Sequence, residues 1–262
     1  MNKTRIAVCG AAGKMGASII RLANAASDLE IIGGVEFMGS PAIGSAAGSG
    51  RIVSDIAEII SSCDVVIDFT APGPTLEHLA VAQQNRIPVV IGTTGIDADG
   101  VKAIRKASES IPLVYASNMS VGVNLLFRLA REVAKIIPGY DVEIVEMHHN
   151  QKKDAPSGTA VTLSQVIAES LKRDIEHAGV YGRKGITGPR KKEEIGIHAV
   201  RGGDIVGDHT VYFVGPGERI ELTHRMHSRD TLASGALTAA RWLVGKNPGL
   251  YDMQDVLGLR QK

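Results

Sequence analysis

The sequence predicts an α/β protein: a Rossmann-like parallel sheet with helices on both faces, then an α+β second domain with an open mixed sheet. Three observations predict it. The first half alternates short β-branched runs with longer amphipathic stretches, the rhythm of βαβ units. A glycine-spaced turn joins the first run to the first amphipathic stretch. Past residue 123 the texture changes, and three strand-like runs follow one another with no helix between them.

Each element follows in order. Strands are expected at 5–9, 31–36, 65–69, 89–92 and 113–116, and helices at 15–25, 56–61, 75–85 and 97–108. Several of these strands are near-continuous apolar runs, as expected when helices cover both faces of a parallel sheet. A helix at 124–137 is stopped by Pro138 and Gly139. A strand at 142–147 and a helix at 158–172 come next, then strands at 197–201, 209–214 and 219–225. A final helix, 231–244, carries the single tryptophan, Trp242. The Gly-, Ala- and Ser-rich 39–50 segment and the Gly-, Lys- and Arg-rich 176–194 segment read as flexible loops.

Bulk composition narrows the partners. With 29 basic and 28 acidic residues the net charge is +1, which gives no electrostatic reason to expect nucleic acid or a membrane surface. Aromatics are only 4%, so Ala, Val, Ile and Leu must fill the core. The two cysteines, Cys9 and Cys63, border apolar runs and read as reduced core thiols. The opening MNKTRIAVCG does not read as a signal peptide, and no apolar run reaches membrane-spanning length. The expected compartment is the cytoplasm.

The turn Gly10-Ala11-Ala12-Gly13-Lys14-Met15-Gly16 leaves a strand and opens a helix. Gly10 permits the tight turn, Gly13 a close approach of backbone to a pyrophosphate, and Gly16 close helix–strand packing. The helix N-terminus then offers N–H groups and a positive dipole end to phosphates. The spacing is GxxGxxG rather than GxGxxG, and a tight turn in a chain with 30 glycines is the competing reading. Context favours a dinucleotide: Glu36 ends the second strand 20 positions after Gly16, where a carboxylate binds ribose hydroxyls. A 2′-phosphate beside that carboxylate would be repelled by roughly 1 kcal/mol in water at ~4 Å. NADH is therefore expected to serve at least as well as NADPH. Gly92-Thr93-Thr94-Gly95 and Ala116-Ser117-Asn118-Met119 follow two further strands, where open α/β sheets bind ligands.

The densest chemistry lies at 146–160. His148 and His149 end a strand, Lys152 follows, and Ser157-Gly158-Thr159 opens a helix. A histidine exchanges protons near neutral pH, a lysine offers a point charge and a proton, and a helix start offers amides and hydroxyls to an anion. A polar surface loop leading into a capped helix is the competing reading. A metal held by His148 and His149 with His209, His224 or His227 is a weaker rival, because no tight ligand spacing accompanies them.

These strings together resemble the dihydrodipicolinate reductase family. GAAGKMG, DFTAPGPTLEHL at 68–79, IGTTG at 91–95, EMHHNQKKDAPSGTA, RGGDIVGDHTVYF from Arg201 and SGALTAARWLVGK span nearly the whole chain in order. The resemblance implies reduction of 4-hydroxy-tetrahydrodipicolinate or dihydrodipicolinate to tetrahydrodipicolinate by NADH or NADPH, in bacterial lysine and diaminopimelate synthesis. It implies a dinucleotide-binding domain of residues 1–119 and 229–262, a substrate and oligomerisation domain of residues 120–228, hinges near 120–122 and 228–230, and a homotetramer. It assigns His148 as proton donor/acceptor, Lys152 as proton donor and His149 as a substrate contact. Ser157, Gly158 and Thr159 would hold a substrate carboxylate. The glycine loop, Glu36, Gly92, Thr93, Thr94 and residues 116–119 would hold the cofactor. One departure bears on specificity: many members carry an arginine where this chain has Phe37. No metal is expected. The alternatives are another Rossmann-type semialdehyde or amino-acid dehydrogenase, which has no need of the His-His-x-x-Lys string, and a non-catalytic dinucleotide sensor.

Overall fold

The computed structural model describes residues 3–260. The chain forms two compact units, one running to Val121 and resuming at Arg229, the other Gly122–Ser228. In order, the first unit contributes β1 (Thr4–Cys9), α1 (Lys14–Asn24), β2 (Leu29–Val35), β3 (Ala46–Ala47), β4 (Gly50–Val53), β5 (Val65–Asp68), α2 (Pro72–Gln84), β6 (Val89–Ile91), α3 (Ala98–Ser108) and β7 (Pro112–Tyr115). Next come α4 (Val121–Ile136), β8 (Asp141–His148), α5 (Gly158–Ser170), α6 (Ile175–Ala178), β9 (Gly179–Val180), β10 (Ile195–Arg201), β11 (Gly207–Gly215) and β12 (Glu218–Met226). The chain then returns with α7 (Asp230–Leu243), β13 (Gly249–Tyr251) and α8 (Met253–Val256).

The first unit is built on an eight-stranded sheet, ordered β13-β7-β6-β5-β1-β2-β4-β3. Every pairing is parallel except β3 with β4. Both faces are covered, and β1 shows how. Ile6 and Val8 enter a core with Ile19 of α1 and Ala236 and Leu237 of α7. Ala7 and Cys9 enter a second core with Leu79 of α2 and Ile104 of α3. Alternate side chains of one strand thus meet helices on opposite sides. Strand order reverses direction between β1 and β5, the switch point beyond whose carboxyl ends such sheets bind ligands. Both thiols are free and buried, and burial pushes Cys63 up to about 12.

The second unit carries a mixed sheet, ordered β12-β11-β8-β10-β9. β8 pairs parallel with β10 and antiparallel with β11. Val142, Ile144, Val211 and Phe213 pack against Val123 and Phe127 of α4 and Leu163 and Ile167 of α5. On the other face Met147, Val200 and Val214 are exposed.

The structure departs from the sequence expectations in several places. The expected helix at 56–61 is two 3-10 turns, Ile56–Glu58 and Ile60–Ser62. The expected flexible loop at 39–50 is largely tied down. Ser49 N donates to Ile31 O at 2.8 Å, and the segment leads through β3 into β4, which extends the sheet beside β2. Gly48 makes that approach possible, since a Cβ there would lie 2.1 Å from Ile31 O. The 176–194 segment is likewise held, by charge. Arg183 grips Glu143 with two nitrogens at 2.9 and 3.0 Å, and Arg190 reaches Glu143 at 3.0 Å and Asp141 at 2.9 Å. Together with His198 these partners hold the Glu143 carboxyl down at about 2 against the opposing effect of burial. β13 and α8 were not foreseen.

Candidate active site

In the first unit the glycine turn sits where β1 hands over to α1. Gly10 has φ +77°, and a Cβ on it would stand 2.9 Å from Phe69 O, at the end of the neighbouring β5. Gly16 is the tightest point: a Cβ there would fall 2.1 Å from Gly10 O and 2.7 Å from the Ala11 Cα, both backbone. Gly13 is the N-cap of α1, and no side chain closes the helix end. The helix therefore presents its N-terminal amides toward the turn, the arrangement that receives a phosphate. Glu36 follows β2, and one of its oxygens accepts from Ala12 N at 2.8 Å, which fixes the carboxylate beside the turn. Phe37 next to it is 70% exposed and brings no charge. These residues fit a dinucleotide.

A pocket of about 290 Å³ opens in the same unit. Of the residues singled out from sequence, Met15, Gly92, Thr93, Thr94 and the stretch from Ala116 to Met119 all line it. Phe69, Thr70 and Leu232 complete the lining and were not foreseen. A Cβ at Gly92 would lie 2.2 Å from the Phe69 ring, so a larger residue there would displace that ring. Beneath the pocket is Asp68, fully buried. Its Oδ1 accepts from Thr70 N at 3.0 Å, Thr70 Oγ1 at 2.6 Å and Thr75 Oγ1 at 2.9 Å, and its Oδ2 meets His78 Nδ1 at 2.7 Å. Burial works to raise the Asp68 pKa, but His78 and Thr70 outweigh it and the net shift is downward. The carboxylate thus anchors the threonines that shape the pocket. With Cys9 and His78 it forms the group of metal-ligand types that converges within 4.8 Å among the described residues. The donor set suits no ion: the Asp68 oxygens are already engaged, and burial holds the Cys9 thiol protonated.

In the second unit β8 delivers His148, and the polar segment after it folds back to the start of α5. Glu146, two residues earlier on the same face of β8, is the hub. It is fully buried. Its Oε2 meets His148 Nδ1 at 2.6 Å and Arg201 Nη1 at 2.8 Å; its Oε1 accepts from Arg201 Nη2 at 2.8 Å and Ser157 N at 3.0 Å. Arg201 also donates to Asp154 O at 2.6 Å, and the Asp154 carboxylate accepts from Lys152 Nζ at 2.9 Å. One network therefore ties β8, the 149–156 turn, the α5 N-cap and β10 together. The predicted residues His148, Lys152 and Ser157 are brought into it directly. His149 follows on, its N–H donating to Ile205 O at 2.7 Å. Ser157 caps α5, accepting from Ala160 N at 3.3 Å. Gly158 is exposed, with nothing within 4 Å of an added Cβ.

The electrostatics follow from burial. Desolvation lowers the His148 pKa, helped by the Lys152 and Arg201 charges and opposed by Glu146; the net shift is downward, so the ring is neutral at neutral pH. A neutral ring against a carboxylate places its proton on Nδ1 and leaves the Nε2 lone pair available. Gly207 keeps that nitrogen clear, since a Cβ there would lie 3.0 Å from it. Burial also works to raise Glu146, but Arg201, His148 and Ser157 N more than reverse it. Among the described residues the histidines of the rival metal reading do not converge as a ligand group, and the His148 and His209 rings meet edge-on 5.2 Å apart. Sequence reasoning missed Glu146 and Arg201 as site residues. The available signal was two charged residues on apolar strands that end beside the histidine string.

Comparison with known proteins decides the family. The model for the N-terminus of dihydrodipicolinate reductase matches residues 4–119, and the model for its C-terminus matches residues 122–257. The chain belongs to the dihydrodipicolinate reductase family. Its relatives include the 4-hydroxy-tetrahydrodipicolinate reductase of Syntrophus aciditrophicus (strain SB), 51% identical over 97% of this chain and 98% of that protein. The corresponding enzyme of Trichlorobacter lovleyi is also 51% identical, over 98% of this chain and 99% of its own. Among solved structures, the dipicolinate-bound dihydrodipicolinate reductase of Paenisporosarcina sp. TG-14 superposes with a TM-score of 0.80 at 26% identity, covering 97% of this chain and 98% of that one. The family match extends over both units.

Proposed function

We propose that this chain is a 4-hydroxy-tetrahydrodipicolinate reductase that uses NADH or NADPH and forms tetrahydrodipicolinate in lysine and diaminopimelate synthesis. The observation that carries it is the Glu146–His148–Ser157–Arg201 network, built by the His-His-x-x-Lys string, its flanks and the end of β10. A Rossmann-type semialdehyde or amino-acid dehydrogenase has no need of that assembly.

The bound nicotinamide supplies a hydride. The chain's own residues do the rest. The amides at the start of α1 and the glycine turn receive the pyrophosphate, and Glu36 holds the ribose hydroxyls. Gly92, Thr93, Thr94 and the 116–119 stretch shape the pocket for the nicotinamide end. Loss of water from 4-hydroxy-tetrahydrodipicolinate gives the ring that is reduced, a small cyclic dianion with conjugated C=C and C=N bonds. Ser157, Gly158 and Thr159 hold one carboxylate with the α5 N-terminus, and His149 contacts the substrate. Hydride addition leaves an enamine-like carbanion stabilised by the ring nitrogen. Lys152 delivers the proton that quenches it, and His148, oriented by Glu146, exchanges protons beside it. Asp154 holds the Lys152 side chain in place through its 2.9 Å contact with Nζ.

The expected domains, 1–119 with 229–262 and 120–228, divide these tasks. A second copy covers the open face of the second sheet, where Met147, Val200 and Val214 would otherwise stay in water, and the assembly is a homotetramer. Among the described residues no helix is long and apolar enough to cross a membrane. The relatives are biosynthetic reductases, and the cytoplasm is the compartment that suits such a reaction.

The test is a coupled assay. The condensation product of pyruvate and aspartate semialdehyde is generated in place, and NADH and NADPH oxidation are followed separately. Turnover of that product, and not of semialdehydes or amino acids, is the expected result. Cofactor binding without turnover would replace the reading with a dinucleotide sensor.

A further inference from the structure

Behind Ser157 lies a second imidazole that the reaction scheme does not use. His209 sits on β11 opposite Glu146 of β8 and His224 of β12, and it is 3% exposed. Its Nε2 is 3.0 Å from Ser157 Oγ. Its Nδ1 is buried, and among the described residues no acceptor or donor reaches it. The charged or titratable groups around it are His148, Glu146, His224 and Lys152.

The two neutral tautomers have opposite consequences. With the proton on Nδ1, an N–H donor is buried facing no acceptor, and Ser157 must give its only proton to Nε2. With the proton on Nε2, the ring donates to Ser157 Oγ, and only a lone pair is left unmatched at Nδ1. Orphaned buried N–H groups are the rarer of the two in folded proteins. Ser157 Oγ already accepts from Ala160 N. Accepting from His209 as well fills both of its lone pairs, and its own O–H is left to donate.

We propose that His209 is a positioning residue that obliges Ser157 to act as a hydrogen-bond donor, presenting an O–H to a substrate carboxylate beside the amides of α5. This rests on the reading of Ser157 to Thr159 as the carboxylate seat. Burial, with the nearby His148 adding to it, pushes the His209 pKa down to about 3, so the ring keeps a single proton at working pH. The tautomer is therefore fixed rather than averaged with an imidazolium.

The test compares His209→Leu, which cannot donate, with His209→Gln, whose amide nitrogen can. His209→Leu is expected to raise the substrate KM about tenfold, the effect of one hydrogen bond to a charged acceptor. It should leave kcat and the NADH KM within about threefold, and His209→Gln should restore the substrate KM. In a Ser157→Ala background, His209→Leu should add nothing further. Nitrogen-15 spectra of the unaltered protein should place the proton on Nε2 from about pH 5 to about pH 8. A proton on Nδ1, an equal rise in both KM values, or no rescue by a folded His209→Gln overturns the proposal. If Ser157→Ala raises the substrate KM while His209→Leu does not, only this proposal falls. If Ser157→Ala has no effect, the carboxylate seat falls with it.

Discussion

Replacing Glu146 by Gln tests whether a buried carboxylate sets the chemistry of His148. Glu146 accepts four hydrogen bonds, two at each oxygen. A glutamine turns one oxygen into an NH₂ group, which faces two donors whichever way the amide lies. At the Oε1 position it would oppose Arg201 Nη2 and Ser157 N, and neither can become an acceptor. At the Oε2 position it opposes Arg201 Nη1 and His148 Nδ1, and the histidine alone can answer by moving its proton to Nε2. The amide therefore settles toward His148 and inverts its tautomer. The lone pair that faced the site is lost, and kcat is expected to fall about 10²-fold or more, the usual contribution of a positioned acid–base group. Loss of the buried carboxylate charge opposite Arg201 should also cost about 3–5 kcal/mol of stability. Steady-state NADH oxidation with saturating substrate reads the first effect and denaturant unfolding the second, with NADH affinity as the control. A folded Glu146→Gln enzyme with kcat within about threefold of the parent would refute the reasoning.

Three further expectations follow from the same geometry. Lys152→Ala should lower kcat by ~10²-fold or more with NADH affinity unchanged, and near-normal turnover would remove Lys152 from proton delivery. NADH should give a kcat/KM at least equal to that of NADPH, and Phe37→Arg should raise kcat/KM with NADPH about tenfold by setting a cation beside the 2′-phosphate; a strong NADPH preference in the parent contradicts this. Stability should fall as pH drops from about 6.5 toward about 3, because the unfolded chain then binds a proton at His209 that the folded ring refuses, at about 1.4 kcal/mol per pH unit. The lowered carboxylates Glu146 and Asp68 act in the same direction further down, losing their contribution as pH falls through their folded pKa values. Denaturant unfolding at about pH 7 and about pH 5 should show a shallower loss for His209→Leu than for the parent, and equal slopes would contradict the assignment.

Much of the fold was legible because its signals are local. The runs around Ile6, Val66, Val90 and Leu113 are short, β-branched and apolar, and all became parallel strands. The glycine turn was legible because Gly10 and Gly16 answer to strict steric demands from backbone within the same βα unit or the adjacent strand. The 39–50 segment was not, because β4 draws its order from backbone pairing to β2, and β3 from pairing to β4, rather than from apolar alternation. The 176–194 segment was misjudged for another reason: Arg183 and Arg190 look like solvated charge until Glu143, some 40 residues earlier, is known to face them. The site divides along the same line. His148, Lys152 and Ser157 lie in one contiguous string, and the sequence exposes them. Arg201 is 55 residues from Glu146 and reaches it only because β10 pairs in register with β8. His209 stands opposite Glu146 only through the β8–β11 pairing, so from sequence it suggested at most a metal ligand.

We propose hydride transfer directly from a bound nicotinamide to the substrate ring. Its most direct test is the fate of deuterium carried at nicotinamide C4. Turnover of the pyruvate–aspartate semialdehyde condensation product in the presence of the labelled cofactor should place one deuterium on ring carbon of tetrahydrodipicolinate. Product free of label, or label lost to water while the cofactor is oxidised, would contradict the account.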